Sequence, residues 1–352
     1  MRPDYQRVES PNPHTMRARQ ILAAHPEVKT LFGNTPTSAL HILAIVSLQI
    51  GIAIFMRNSP VWEILLVGYV FGAIANHAMW VMIHECCHNL VFRSSTANNL
   101  INIVANLPIV FPSAISFKKY HLWHHRYQGE IYGDADLAAP GEANLIGNSP
   151  LRKTLWLFTF FIFEGIIRPA RITGVKLWCR WVALNTFVEI GFLAGLWALF
   201  GWKAFFYLAV STFFSIGLHP VGGRWIQEHY LFPNFGKPDQ ETFSYYGPIN
   251  WVNYNIGHHN EHHDLMMVAW SNLPKLKAMA PEFYETLAYH TSYTGLLIRF
   301  IFDRRVSLYS RIVRPDRSPT VRPEGSKDGN KSNRASQEEE DMAQGSIEPA
   351  LS

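Results

Sequence analysis

Cysteine is scarce in this chain. There are three, Cys86, Cys87 and Cys179, two of them adjacent and none in a C-x-x-C spacing. That excludes a disulfide framework and a zinc finger, and it fits a reducing, cytosol-facing setting. Charge is scarce too, with 16% of residues charged against 48% hydrophobic and 14% aromatic. No basic stretch interleaved with aromatics marks a nucleic-acid surface. The opening MRPDYQRVESPNPHTMRARQ lacks the apolar core of a cleavable signal peptide. Residues 314–352 contain no aromatic and almost no aliphatic residue, so they cannot bury enough surface to offset chain entropy and are expected to form a disordered polar tail.

The remainder is strongly apolar. The runs 39–56 and 61–83 each approach or exceed the roughly 20 residues needed to cross a bilayer and are separated only by RNSP. They read as one transmembrane hairpin. The runs 181–200 and 203–218, broken at Gly201, read as a second. The run 155–167 is short and carries Glu164, while 99–115 is interrupted by prolines and suits an interfacial element. The expected fold is therefore an all-α integral membrane protein with about four spans in two hairpins. Its divisions are an N-terminal arm (1–38), a membrane domain (39–313) and the tail (314–352).

An even number of spans returns the chain to its starting side. Basic residues mark that side as cytosolic: Arg2, Arg7, Arg17, Arg19 and Lys29 in the arm, FKKYHLWHHRY at 117–127, and Arg299, Arg304, Arg305 and Arg311 after the membrane segments. Both termini are thus expected in the cytosol, with a helical cap there.

What the sequence has in abundance is histidine. Of sixteen, eight fall into three clusters near span ends: HECCH (His84, His88), HLWHH (His121, His124, His125) and HNEHH (His259, His262, His263). In a helix, i, i+3 and i+4 share a side, so each cluster turns its rings one way. Eight imidazoles exceed what one tetrahedral zinc takes. They suit two transition metals, and imidazole is a good iron ligand. Glu85, Glu261 and Asp264 sit where they could orient ligand rings. A metal transporter or sensor is the alternative in another class. It would place ionisable ligands within the spans rather than at their ends. His77, two turns before His84 and deeper in the span, reads as a buried hydrogen-bonding residue.

HECCH, HLWHH and HNEHH, in this order and separated by spans, resemble the three histidine boxes of the membrane fatty-acyl desaturase and hydroxylase superfamily. Within it the chain is similar to the sphingolipid Δ4-desaturases, or dihydroceramide desaturases. The likeness extends from about residue 5 to 312 and includes PHTMRARQILAAHPEVKTLFG (13–33), ANLPIVFPSAISFKKYHLWHHRYQG (105–129), GLHPVGGRWIQEHY (217–230) and TFSYYGPINWVNYNIGHHNEHHD (242–264). The resemblance implies a di-iron centre, O2 as co-substrate, and electrons from cytochrome b5 and its reductase. The implied reaction is insertion of a trans C4–C5 double bond into the sphingoid chain of dihydroceramide in the endoplasmic reticulum. A C4-hydroxylase or a bifunctional enzyme would use the same ligands.

The resemblance also implies a ninth ligand near the end of the last span. His229, thirty residues before His259, is the favoured candidate, and His219 the other. His258 stands where the family has tyrosine and counts as an additional candidate. LMMVAW at 265–270 replaces the family's usual Phe-Pro after the third box. HPVGG at 219–223 is similar to a haem-binding HPGG, but the inserted valine breaks that motif, so the electron donor is expected to be a separate protein.

Overall fold

The structure, a computed structural model, describes residues 4–317. The expected tail beyond Arg317 lies outside the described residues. Arg314 is packed, at 8% exposed and 2.6 Å from Glu241, so the folded body runs past position 313.

Helices make up most of the described chain. Three are long and apolar enough to cross a bilayer: Ser38–Asn58, Val61–Cys87 and Arg180–Phe200. The run 203–218, expected to be a span by itself, stops as a helix at Ser215. Its 14 residues rise only about 21 Å against a hydrocarbon core of about 30 Å. The reason is local. A Cβ at Gly217 would stand 2.5 Å from the Leu157 carbonyl oxygen, and Pro220 follows. Trp202–Ser215 reaches membrane thickness only when joined, across a 43° bend, to Pro220–His229. The count is therefore three spans, or four with the bent pair taken as one.

Small residues bring the second span against Trp202–Ser215. A Cβ on Gly68 would meet Val210 at 2.7 Å, and one on Gly72 would meet the Ser211 hydroxyl at 2.0 Å. Only glycine permits that approach, the packing device typical of helices in lipid. Polar bonds tie the same region together. Gln49 donates to Asn76 at 2.5 Å, Tyr207 donates to Gln49 at 2.7 Å, and Asn76 donates to Thr212 at 3.0 Å. Phe55, Leu66, Phe71, Phe187, Ile190 and Leu199 are exposed on the outer faces, as suits surface that meets lipid tails. Glu164, in the π-helical turn Phe163–Ile167, pairs with the buried Arg168 at 2.6 Å.

The expected interfacial stretch 99–115 is a helix, Ser95–Asn106, followed by turns. Asn106 there donates to Glu189 of the third span at 2.9 Å. Two short parallel pairings join distant segments: Gln6–Arg7 with Ile312–Val313, and Ser244–Tyr245 with Tyr289–His290. The first holds the N-terminal arm against the C-terminal end of the described chain.

Candidate metal centre

The second span delivers the first histidines. His84 is in its last turn and His88 at its C-cap, after which Asn89, at φ 56°, turns the chain in a left-handed conformation that asparagine tolerates. The helix Ala114–Tyr127 carries His121, His124 and His125. His229 ends the helix Gly223–His229, and the short helix His259–Asp264 carries the last three.

Nine rings meet in two adjacent groups. His84, His88, His121, His125 and His262 bring ligating nitrogens within 4.8 Å of one another. The Nε2 atoms of His88 and His121 are 2.9 Å apart, those of His121 and His125 3.0 Å, those of His84 and His262 3.0 Å, and those of His125 and His262 3.2 Å. His124, His229 and His263 form the second group. His259 joins it with its Nε2 3.2 Å from that of His229.

Each HxxHH motif therefore divides its rings between the groups. Residues i and i+4 lie about 40° apart around a helix axis, and i+3 about 60° to the other side. His121 and His125 accordingly serve one group and His124 the other. In the third box His259 and His263 go together and His262 crosses over. Two helices facing each other thus build two centres from one repeated motif.

These residues fit metal ions. The converging nitrogens are the donor arrangement that surrounds a cation. His263 Nε2 is buried with no hydrogen-bond partner among the described residues, a costly state for a polar atom unless something else satisfies it. Burial first, then neighbouring imidazoles, hold His121, His125 and His263 well below the ordinary histidine range. Their rings are neutral, with lone pairs to offer. An all-imidazole set suits iron or zinc.

Supporting groups surround the rings, and several were not apparent from sequence. Asp134 accepts from His124 Nδ1 at 2.8 Å and from the Gly129 and Asp136 amides. Burial works to lower the His124 pKa, but Asp134 pushes it up to about 9. This contact keeps a proton on Nδ1 and turns Nε2 toward its group, the usual orienting role of a carboxylate behind a ligand ring. The clue in the sequence was YGDAD, ten residues past His124 and outside the motif. Asp134→Asn is expected to weaken metal binding about 10–100-fold, measured by metal titration of the purified apoprotein. Unchanged affinity would remove Asp134 from this role.

The expected carboxylates take different places. Glu85 accepts from the Trp270 amide at 3.1 Å and stands 3.8 Å from His84 Nδ1. Glu261 faces away from the nine rings, bonded to Ser244, Tyr246 and His258. His258 is occupied there and joins neither group. Asp264 holds the N-terminal arm: Arg17 donates to it at 2.6 Å, and His14 Nδ1 lies 2.6 Å from its other oxygen. The His14 ring packs on His263 at 4.9 Å between centroids, so Asp264 reaches the site through His14. His219 is also apart, with Nδ1 accepting from the Val221 amide and the ring edge-on to Tyr69. His77 bonds the Ser215 carbonyl at 2.7 Å.

A cavity of about 370 Å³ opens beside the rings. His84, His121, His124 and His259 reach it, and Phe117, Ile166, Leu177 and Trp225 supply apolar wall. Arg224, Glu228, Asp136 and Glu164 add charge.

The profile of the fatty acid desaturase family matches residues 60–294, and that of the sphingolipid Δ4-desaturases matches residues 1–37. A sphingolipid delta(4)-desaturase from Drosophila melanogaster is 41% identical over 323 residues, covering 90% of this chain and 97% of the relative. One described as DES1-like from Oryza sativa subsp. japonica is 41% identical over 302 residues, 86% of this chain and 90% of the relative. A sphingolipid delta(4)-desaturase/C4-monooxygenase from Rattus norvegicus is 36% identical over 320 residues, 89% and 95% of the two chains.

Proposed function

The chain belongs to the fatty acid desaturase family and, within it, to the sphingolipid Δ4-desaturases, and from that premise we propose that it inserts a trans C4–C5 double bond into the sphingoid chain of dihydroceramide. It is an oxidoreductase. The observation that carries the mechanism is the convergence of nine imidazoles in two groups, four of them reaching a cavity with an apolar wall.

Five rings (His84, His88, His121, His125, His262) would hold one iron, and four (His124, His229, His259, His263) the other. Two irons in these places supply the power to oxidise an unactivated methylene with O2, chemistry that no side chain provides. The balance is one hydrogen lost from each of C4 and C5, with O2, two electrons and two protons yielding two waters. Electrons come from an external donor, cytochrome b5 with its reductase. HPVGG supports a separate donor, since His219 is spent capping the turn Pro220–Gly222.

The protein's own contribution is to orient and to exclude. Asp134 fixes the tautomer of His124, while Arg17, His14 and Asp264 brace the third box from behind. Phe117, Ile166 and Trp225 present apolar surface to the chain and keep water from the reacting carbons. The spans pair as two hairpins beneath a cytosolic cap that carries the histidines, in the endoplasmic reticulum membrane. The basic segments flanking the spans support that orientation.

The function is tested by expression in a host that makes only dihydroceramides, followed by lipid mass spectrometry and metal analysis of the purified protein. A Δ4 double bond with two irons per chain is expected. A C4 hydroxyl as sole product would make the enzyme a hydroxylase, and one zinc without iron would end the mechanism. Deleting 318–352, which contain no histidine or aromatic residue, is expected to leave turnover within about twofold, since no imidazole of either group is removed. Loss of turnover in a normally expressed truncation would contradict this.

A further inference from the structure

One ion pair in the cavity contributes no ligand to either histidine group. Arg224 and Glu228 lie one turn apart on the helix Gly223–His229, with Arg224 Nη1 donating to Glu228 Oε1 at 2.5 Å. Both side chains are 6% exposed, and both line the cavity. Glu228 Oε1 also stands 3.7 Å from His259 Nδ1, which puts the carboxylate beside the histidine rings. The Arg224 guanidinium lies 4.0 Å over the Trp225 ring, and Arg224 Nε and Trp225 Nε1 have no partner among the described residues.

A buried charged pair costs desolvation that its internal contact does not by itself recover. The other acids there are held from behind, Asp136 by Arg311 at 2.9 Å and Glu164 by Arg168 at 2.6 Å. A hydrocarbon chain offers Arg224 and Glu228 nothing. An acyl ester or thioester offers acceptors for Arg224 but no donor for Glu228. A lipid that bears both a hydroxyl and an amide satisfies both residues. Position along the chain agrees. C4 and C5 are one and two bonds from the carbon that bears the C3 hydroxyl, so the polar headgroup must sit within a few bond lengths of the metals, where Glu228 stands.

We propose that Arg224 and Glu228 form the headgroup subsite. Glu228 accepts a hydrogen bond from the C3 hydroxyl, Arg224 donates to the amide carbonyl, and together they stop the chain with C4 and C5 at the metals. This assignment rests on the desaturase reading above. Both are specificity-determining residues, reading the position of the polar group rather than chain length.

The test compares dihydroceramide with its 3-deoxy analogue on the iron-loaded, full-length protein. Binding is measured by lipid titration and kcat/KM by product mass spectrometry. A site built around a hydroxyl rejects the analogue lacking it, so the wild type is expected to prefer dihydroceramide by at least about 100-fold in kcat/KM. In the Arg224→Met/Glu228→Leu double variant the preference is expected to fall below about tenfold, mainly through a higher KM for dihydroceramide, with two irons retained. Glu228→Gln, close in shape, gives the same comparison should the double variant not fold, with a smaller loss of preference expected.

Equal handling of the two lipids by the wild type overturns the proposal, as does a wild-type preference in the variants. Loss of iron also overturns it, because the pair would then serve His259. Iron-loaded wild type that desaturates no sphingolipid sinks the desaturase reading itself. Turnover of dihydroceramide without discrimination sinks only the subsite.

Discussion

His229→Ala is expected to leave one iron per chain and abolish desaturation, while His219→Ala retains two irons and most of the turnover. From sequence His229 was the favoured candidate and His219 the other, both near the end of the last apolar run. The structure separates them by what their nitrogens face. His229 Nε2 points at His259 Nε2 from 3.2 Å, and the ring lies 5.2 Å from those of both His124 and His263. His219 spends Nδ1 on the Val221 amide and packs on Tyr69, in neither group. Metal analysis of both variants decides the matter. Two irons in His229→Ala with one in His219→Ala would reverse the assignment.

The second large effect concerns the N-terminal arm. Arg17→Ala is expected to destabilise the protein by about 3–5 kcal/mol, the cost of stranding one partner of a buried pair. Asp264 has no side-chain exposure and Arg17 only 14%. Arg17 also donates to Asn260 at 3.0 Å, so one guanidinium ties the helix Pro13–Ala24 to both ends of the third box. Thermal unfolding in detergent measures the loss, and Arg17→Leu/Asp264→Leu is expected to recover much of it, because no uncompensated charge remains. An unfolding midpoint unchanged in Arg17→Ala would show that the pair contributes nothing. This contact also gives a physical reason for the family profile over residues 1–37: a segment ahead of the spans packs against the candidate site.

Much of this protein was legible in its sequence because its strongest signals are local. Long apolar runs declare spans through transfer energy alone, and three of the four expected runs are long helices in the structure. The histidine motifs declare a metal site through residue type and helical spacing. Locality is also where that reading stopped. The break after Ser215 depends on Gly217 packing against a carbonyl of residue 157, which no window over 203–218 contains.

Tertiary structure alone decided how the rings are shared. Spacing says that His121 and His125 lie to one side of His124, but not which of them meets His84 or His229, since the partners come from helices 30 to 180 residues away. Asp134 and Glu228 were equally hidden, one in a loop beyond its motif and the other beside His229, outside the three histidine motifs. Asp264 looked like a partner for its own box and instead anchors Arg17, 247 residues distant. Residue chemistry and helical period were enough to point to a metal site at the ends of apolar helices. Which nitrogens share a metal, and which charges face the lipid, depend on contacts between distant segments, and only the packed chain brings those together.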